Sequence, residues 1–205
     1  LKLIRLKDFQ FRRSRDKFLD PRGFLTLKYR DPITKQIVDT FTKKNTIVYD
    51  GREIFGQKIF NKDIVTGSNE KQLFIAYMSV GDGGADPSDP NLILAPDVND
   101  TGLVNELVID ATDPQCADGG KKKVISNIEF LQDVTKNNRY LIAKATMIIN
   151  ANQFVNTNFN EVGLWFADSN NPATVTTFKL ASRITIGTTS KNNITDLIFE
   201  WYYYF

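Results

Sequence analysis

The stretch VGDGGADPSDP, Val80 to Pro90, sets three aspartates, Asp82, Asp86 and Asp89, among glycines and prolines directly after the apolar run LFIAYMSV. Carboxylates this close together could reach a hard cation, and the glycines could bring backbone N–H groups against a phosphate. A calcium loop of the EF-hand type needs oxygen ligands at alternate positions, a glycine, and a distant bidentate glutamate. These aspartates do not keep that spacing, and the prolines break the wrap, which leaves at most a weak surface cation site. A phosphate cradle needs a lysine followed by serine or threonine at the head of a helix, which GDGG does not supply. No metal or cofactor is expected.

The chain contains no histidine. Ser-His-Asp and Cys-His catalysis and the usual zinc sites are thereby excluded at once. Paired carboxylates could still hydrolyse a glycoside through Glu106, Glu129, Glu161 or Glu200 with an aspartate partner, but nothing in the spacing fixes a separation between two of them. With no nucleophile, base and oxyanion element nameable together, the chain is expected not to be an enzyme. Cys116, the single cysteine, lies between Asp113 and Asp118, which disfavours its thiolate until Lys121 to Lys123 intervene, and it cannot form an internal disulfide. That suits assembly in a reducing cytoplasm. A net charge of +2 provides no general field for recruiting nucleic acid or an anionic membrane, so neither is an expected partner. No apolar run approaches the length of a membrane span, and the chain is expected to be soluble.

These side chains need elements to position them. With 205 residues, 41% hydrophobic and 24% charged, the chain has the composition of one ordinary globular domain. The opening LKLIRLKDFQFRRSRDKFL interleaves apolar and basic residues, and residues 1–20 read as an arm whose Arg12, Arg13 and Arg15 would contact a partner subunit. A single β-rich domain is expected over 21–205. RGFLTLKYRDPITKQIVDTF alternates as a hairpin with DPITKQ as its turn. Ile54, Phe55, Lys58 and Ile59 fit a short helix after Asp50. QLFIAYMSV is apolar on both parities, as in a strand covered on both faces.

Residues 81–123 form a long connection of the kind that usually serves a function or an interface, with only LVNELVI within it able to form regular structure. Beyond it, VISNIEFLQ carries Val124, Ile128 and Phe130 on one parity, and RYLIAKATMIIN carries Leu141, Ala143, Ala145, Met147 and Ile149. NITDLIFEWYYYF places Leu197, Phe199, Trp201, Tyr203 and Phe205 on one face, with Trp201 and Tyr203 expected in the core. The opposite face, Asp196 to Tyr204, is mixed and suits partial solvent or a subunit contact. The expected fold is mainly β, an antiparallel β-sandwich with one or two short helices and long loops.

Three stretches in order, VGDGGADP (Val80 to Pro87), TGLVNEL (Thr101 to Leu107) and FNEVGLWF (Phe159 to Phe166), resemble the N-terminal, particle-attaching domain of tail-fibre and baseplate-associated proteins of tailed bacteriophages. In that family a strand ends in a Gly-Asp-Gly turn, an Asn/His-Glu segment follows the loop, and an Asn/Arg-Glu-x-Gly-Leu segment begins a later strand. The upstream KKNTIVYDGREIF is similar to a segment preceding this block in phage structural proteins. The resemblance covers about residues 43 to 205 and leaves out the basic arm. Gly81, Gly83 and Gly84 would then permit positive φ at a strand exit, and Gly163 a bend before a buried aromatic strand. Asp82 would hydrogen-bond the turn's own backbone, and Glu106 and Glu161 would receive N–H or arginine bonds from adjacent loops.

The resemblance implies a non-enzymatic virion protein, a tail or baseplate adaptor that oligomerises and anchors tail fibres or neighbouring ring proteins. It would be assembled in the bacterial host cytoplasm and would reside in the tail. Its contacts would run through Asp82, Glu106 and Glu161, and, in the arm that the resemblance leaves out, through Arg12, Arg13 and Arg15. The alternative is a capsid or neck decoration protein with a carbohydrate-binding β-sandwich, which exposed aromatics clustered with Asp and Asn would favour. A wall-degrading tail enzyme would instead need a cleft with two convergent carboxylates.

Overall fold

A computed structural model describes residues 22–47, 51, 54, 73–132 and 141–204. The basic arm, with Arg12, Arg13 and Arg15, lies outside these residues, as does most of the segment expected to be helical after Asp50. Within that segment Gly51 and Ile54 have helical backbone.

Alternating apolar and polar residues separated by Gly, Pro and Asn turns build strands, and every strand pairing among the described residues is antiparallel. The strands before the long connection are β1 (Arg22–Arg30), β2 (Ile37–Lys44), β3 (Thr46–Ile47) and β4 (Phe74–Gly81). Within the connection come β5 (Ala85–Asp86), β6 (Asp89–Ile93), β7 (Cys116–Ala117) and β8 (Lys122–Val124). After it follow β9 (Asn127–Gln132), β10 (Leu141–Ile149), β11 (Thr157–Ala167), β12 (Phe178–Lys191) and β13 (Asp196–Tyr204). One sheet has the order β2-β1-β13-β10-β9 and a second β3-β12-β11-β4-β8-β7, while β5 and β6 form a small separate ribbon.

The core lies between the two large sheets. Leu25, Leu27, Met147, Ile149, Leu197, Phe199, Trp201 and Tyr203 from the first meet Met78, Val80, Phe159, Val162, Leu164, Ile184 and Ile186 from the second. The aromatic stripe of β13 occupies the middle of its sheet, and the register makes room for it. Trp201 lies between Leu25 and Ala145, and Tyr203 between Gly23 and Ala143, so each large ring has a small neighbour beside it. Phe159 of the opposite sheet stacks at a tilt on Phe199 with ring centroids 5.9 Å apart.

The β1–β2 hairpin forms as its alternation predicts, closed by Asp31, whose Oδ1 accepts the N–H groups of Ile33 (2.8 Å) and Thr34 (2.7 Å). β4 is buried on both faces from Ala76 onward, as its two-parity apolar pattern implies. Three expectations need correction, and one strand had not been anticipated. VISNIEFLQ is not one strand: Val124 ends β8 in the six-stranded sheet, and the chain crosses at Ile125 and Ser126 to β9 in the other. Ile128 and Phe130 consequently sit on an edge strand and are exposed. LVNELVI makes only an isolated bridge, Glu106 to Gly81, because its backbone groups and side chains bind the end of β4 and β11 instead.

The strand not anticipated is β12, the longest among the described residues, which the Ser/Thr-rich sequence FKLASRITIGTTSK conceals. The third correction is the outer face of β13, where Asp196, Ile198 and Glu200 are buried under their own neighbours. Lys28 reaches Glu200 at 2.6 Å, Lys144 lies 4.0 Å from the other Glu200 oxygen and 2.5 Å from Glu129, and Arg30 pairs with Asp196 at 2.6 Å. Charges drawn from four adjacent strands neutralise one another across this face.

Candidate functional site

In the register of β11, Glu161 stands opposite Gly81 of β4 on one side and Thr185 of β12 on the other. Arg183, two residues from Thr185 along β12, projects from the same face one diagonal step away. Its Nε and Nη2 donate to Glu161 Oε2 at 2.8 and 2.7 Å, and its Nη1 pairs with Asp100 Oδ2 at 2.6 Å. Three backbone N–H groups complete the shell: Gly83 (3.2 Å) and Asn105 (3.0 Å) donate to Oε1, and Val104 (3.3 Å) to Oε2. Glu161 is fully buried, so both oxygens require these donors.

The carboxylate therefore gathers the three stretches singled out in the sequence. Gly83 comes from VGDGGADP, Val104 and Asn105 from TGLVNEL, and Glu161 from FNEVGLWF. Further backbone bonds fix the same geometry, from Leu107 N to Val80 O (2.9 Å), Asp82 N to Asn105 O (3.1 Å) and Leu94 N to Gly84 O (3.0 Å). Asn160 Oδ1 accepts the N–H of Gly84 at 2.6 Å. The expected role of Glu161 as receiver of N–H and arginine bonds is observed. Its chief partner Arg183, and Asp100 on the far side of that guanidinium, were not nameable from sequence, since no local spacing connects them.

The glycines serve packing here. Gly81, Gly83 and Gly84 do not have positive φ, which among described glycines belongs to Gly119 (65°) and Gly120 (91°). What the three require is the absence of a Cβ. At Gly81 a Cβ would lie 2.5 Å from both Asn105 O and Glu161 Oε1, at Gly84 2.5 Å from Asn160 O, and at Gly83 it would run into Val104. Gly163 likewise lies within β11, where a Cβ would come 3.0 Å from Trp165 Nε1 and 3.1 Å from Leu103. Its place is to admit the loop residue Leu103 onto the sheet. Asp82 also differs from expectation: its Oδ1 accepts the side-chain amide of Asn105 at 2.5 Å, which ties turn to loop.

Two buried lysines of β8 extend the arrangement. Lys122 donates to Glu106 Oε2 and Asp118 Oδ2, both at 2.6 Å, with its ammonium 4.3 Å from the ring centre of Trp165. Lys123 donates to Asp113 Oδ2 at 2.5 Å and to Gln153 Oε1 at 2.8 Å, and Gln153 Nε2 returns to Asp113 at 2.7 Å. Burial alone would raise the Asp113 pKa, but the bonds from Lys123, the Gln115 N–H and Gln153 outweigh it and hold it at about 2. Burial pushes the neighbouring Cys116 thiol up to about 11, in keeping with an unreactive cysteine.

Because the folded Asp113 pKa lies below its ordinary value of 3.8, its ionised form stabilises the fold above that pH. This contribution drains away as pH falls toward 2. Urea midpoints measured between about pH 5 and pH 2 are expected to fall with acid, and Asp113→Asn is expected to flatten that fall while lowering the plateau at neutral pH. An unchanged acid limb in the variant would show that Asp113 is not so held.

Glu161, Arg183 and the loop N–H groups they hold form a latch that fastens the connection to β11 and β12, and of the residues assigned to partner contact the described ones lie in it or beside it. Glu161 is inside it, Glu106 sits beneath Lys122, and Asp82 is exposed beside Asn105. Asp86 and Asp89 stand apart from Asp82 in function: Asp86 Oδ1 accepts the Ser88 N–H at 2.8 Å and Asp89 Oδ1 the Asn91 N–H at 3.0 Å, each holding its own turn. No group of three or more acidic or cysteine side chains among the described residues is arranged to hold a metal. Among them no helix is long and apolar enough to cross a membrane. Chemically, the arrangement fixes a loop in shape: Glu161 is bound on both oxygens and Glu106 on one, its Oε1 being without a partner among the described residues, while Val98, Val104 and Val108 remain exposed on the surface. No protein-family model, curated protein or solved structure matches this chain.

Proposed function

We propose that this chain is a non-enzymatic virion protein of a tailed phage, a tail or baseplate adaptor that oligomerises and anchors tail fibres or neighbouring ring proteins. The observation that carries the reading is the convergence of the three resemblance-bearing stretches on Glu161. Residues that such a motif would keep together for chemistry are here spent on shaping a connection that offers Val98, Val104 and Val108 to its surroundings. Each glutamate considered for glycoside hydrolysis is engaged by a cation: Glu106 by Lys122, Glu129 by Lys144, Glu161 by Arg183 and Glu200 by Lys28. Both tryptophans are buried, which removes the side chains best suited to stacking on sugar and weighs against the carbohydrate-binding alternative.

In this reading the arm with Arg12, Arg13 and Arg15 reaches an adjacent subunit, and the partners are other tail or baseplate proteins, without membrane or nucleic acid. The test is immunogold labelling of intact particles with antibody raised against the purified chain. Label at the tail end is the expected result. Label over the head would favour the decoration protein, and particles without label would overturn the proposal. A zymogram showing clearing by the purified chain would overturn its non-enzymatic part.

A further inference from the structure

Among the described residues the two large sheets end in four edge strands, and three of them are defended against pairing with another chain. β3 and β7 have two residues each among the described residues, too short there to serve as templates. β2 is long, but it carries Lys43 and Lys44, its pairing with β1 shifts register at Tyr29 and Arg30, and the Thr40 N–H is taken by Asp39 Oδ1 at 2.7 Å. β9 has none of these devices. Its sequence NIEFLQ contains no lysine, arginine, proline or glycine, and its register with β10 runs unbroken from Asn127 opposite Thr146 to Gln132 opposite Leu141. Ile128 and Phe130 share the face of Ala145 and Ala143, the core side of the sheet, yet they are 46% and 69% exposed. An unprotected, regular edge flanked by uncovered apolar side chains is a template for a further strand.

We propose that β9 docks on β9 of a second copy of this chain, antiparallel about a two-fold axis, so that the two five-stranded sheets run on as one. The strand is self-complementary in this register. Glu129 meets its counterpart on the axis, and Ile128 of each copy faces Phe130 of the other, giving two aromatic–β-branched cross-strand pairs on the core side. The like charges on the axis are already neutralised within each copy, because Lys144 holds Glu129 at 2.5 Å and the Asn127 amide donates to it at 2.9 Å. β2 cannot substitute, since the same two-fold pairing would set Lys43 and Lys44 against a second strand. The inference rests on the proposed function in one respect, that the chain assembles with copies of itself, and it names the strand through which it does so.

The test is sedimentation of the full chain beside Phe130→Lys, Ile128→Lys and, as a control at the exposed hairpin tip, Ile33→Lys. Halved mass for the two β9 variants, with the wild-type mass kept by Ile33→Lys and similar melting temperatures throughout, is the expected result. A wild-type chain that is monomeric at its highest soluble concentration overturns the pairing, as does a Phe130→Lys variant that keeps the wild-type mass. If deletion of residues 1–20 alone halves the mass, the arm is the contact and the β9 proposal falls. Should the lysine variants fail to fold, Glu129→Cys combined with Cys116→Ser decides, a disulfide-linked dimer under mild oxidation supporting the pairing and its absence overturning it. Particle labelling reads the proposed function independently: unlabelled particles would remove that reading whatever β9 does, and a labelled tail with monomeric purified chain would remove only the pairing.

Discussion

Glu161→Ala is expected to lower the stability of the domain by about 3–5 kcal/mol, the usual consequence of leaving one partner of a buried ion pair behind. The variant strands Arg183, which is almost fully buried and keeps only Asp100, and it orphans the N–H groups of Gly83, Val104 and Asn105. Against a typical domain stability of about 5–15 kcal/mol, such a loss decides whether the chain is folded at all at elevated temperature. Glu161→Gln offers little rescue. Both carboxylate oxygens face donors, so an amide must turn its own N–H groups toward either Arg183 or the loop. The loss can be assigned to the pair by a double-mutant cycle in urea, in which Glu161→Ala with Arg183→Ala costs less than the sum of the single changes. Strictly additive losses would show that the two side chains do not act as a unit. Limited proteolysis supplies a local readout, because cleavage between residues 94 and 110 should accelerate in Glu161→Ala more than elsewhere in the chain.

The parts of this molecule that were legible in the sequence are those whose cause is local. The β13 stripe shows as period two because alternate residues of a strand face opposite ways, and Leu197, Phe199, Trp201 and Tyr203 are buried together as that period requires. The β1–β2 hairpin is likewise announced by its turn. The identity of the latch was only half legible. The three stretches that build it could be picked out, and Glu161 identified as a receiver of hydrogen bonds, but Arg183 comes from a strand hidden by serine and threonine and Asp100 from a featureless loop. The glycines marked the right places for the wrong reason: a sequence shows that a Cβ is missing, whereas whether φ or a neighbour's carbonyl demands this depends on the fold. Phe130 illustrates a further limit. Its parity matches the core, yet strand order, which no single strand encodes, places β9 at an edge and leaves the ring uncovered.

Trp201→Ala is the other change expected to have a large effect, about 3–5 kcal/mol, because it empties a central position of the sandwich core. Trp201 is fully buried, lies in the strand flanked by β1 and β10, and has Leu25 and Ala145 beside it in register, neither of which can extend to fill the space. Trp201→Phe separates two contributions that the alanine variant merges. The indole Nε1 is buried without a hydrogen-bond partner among the described residues, and an unmet buried donor costs about 1–3 kcal/mol. Phenylalanine removes that donor but also part of the ring, and lost core volume costs on the order of 1–2 kcal/mol for one or two carbon-sized gaps. The two effects oppose, so the net change in the urea-derived stability of Trp201→Phe is expected to stay within about 1 kcal/mol of zero, against several for alanine. A phenylalanine variant as damaged as the alanine one would mean that the indole nitrogen does have a partner, and that the core at Trp201 is held by a bond as well as by packing.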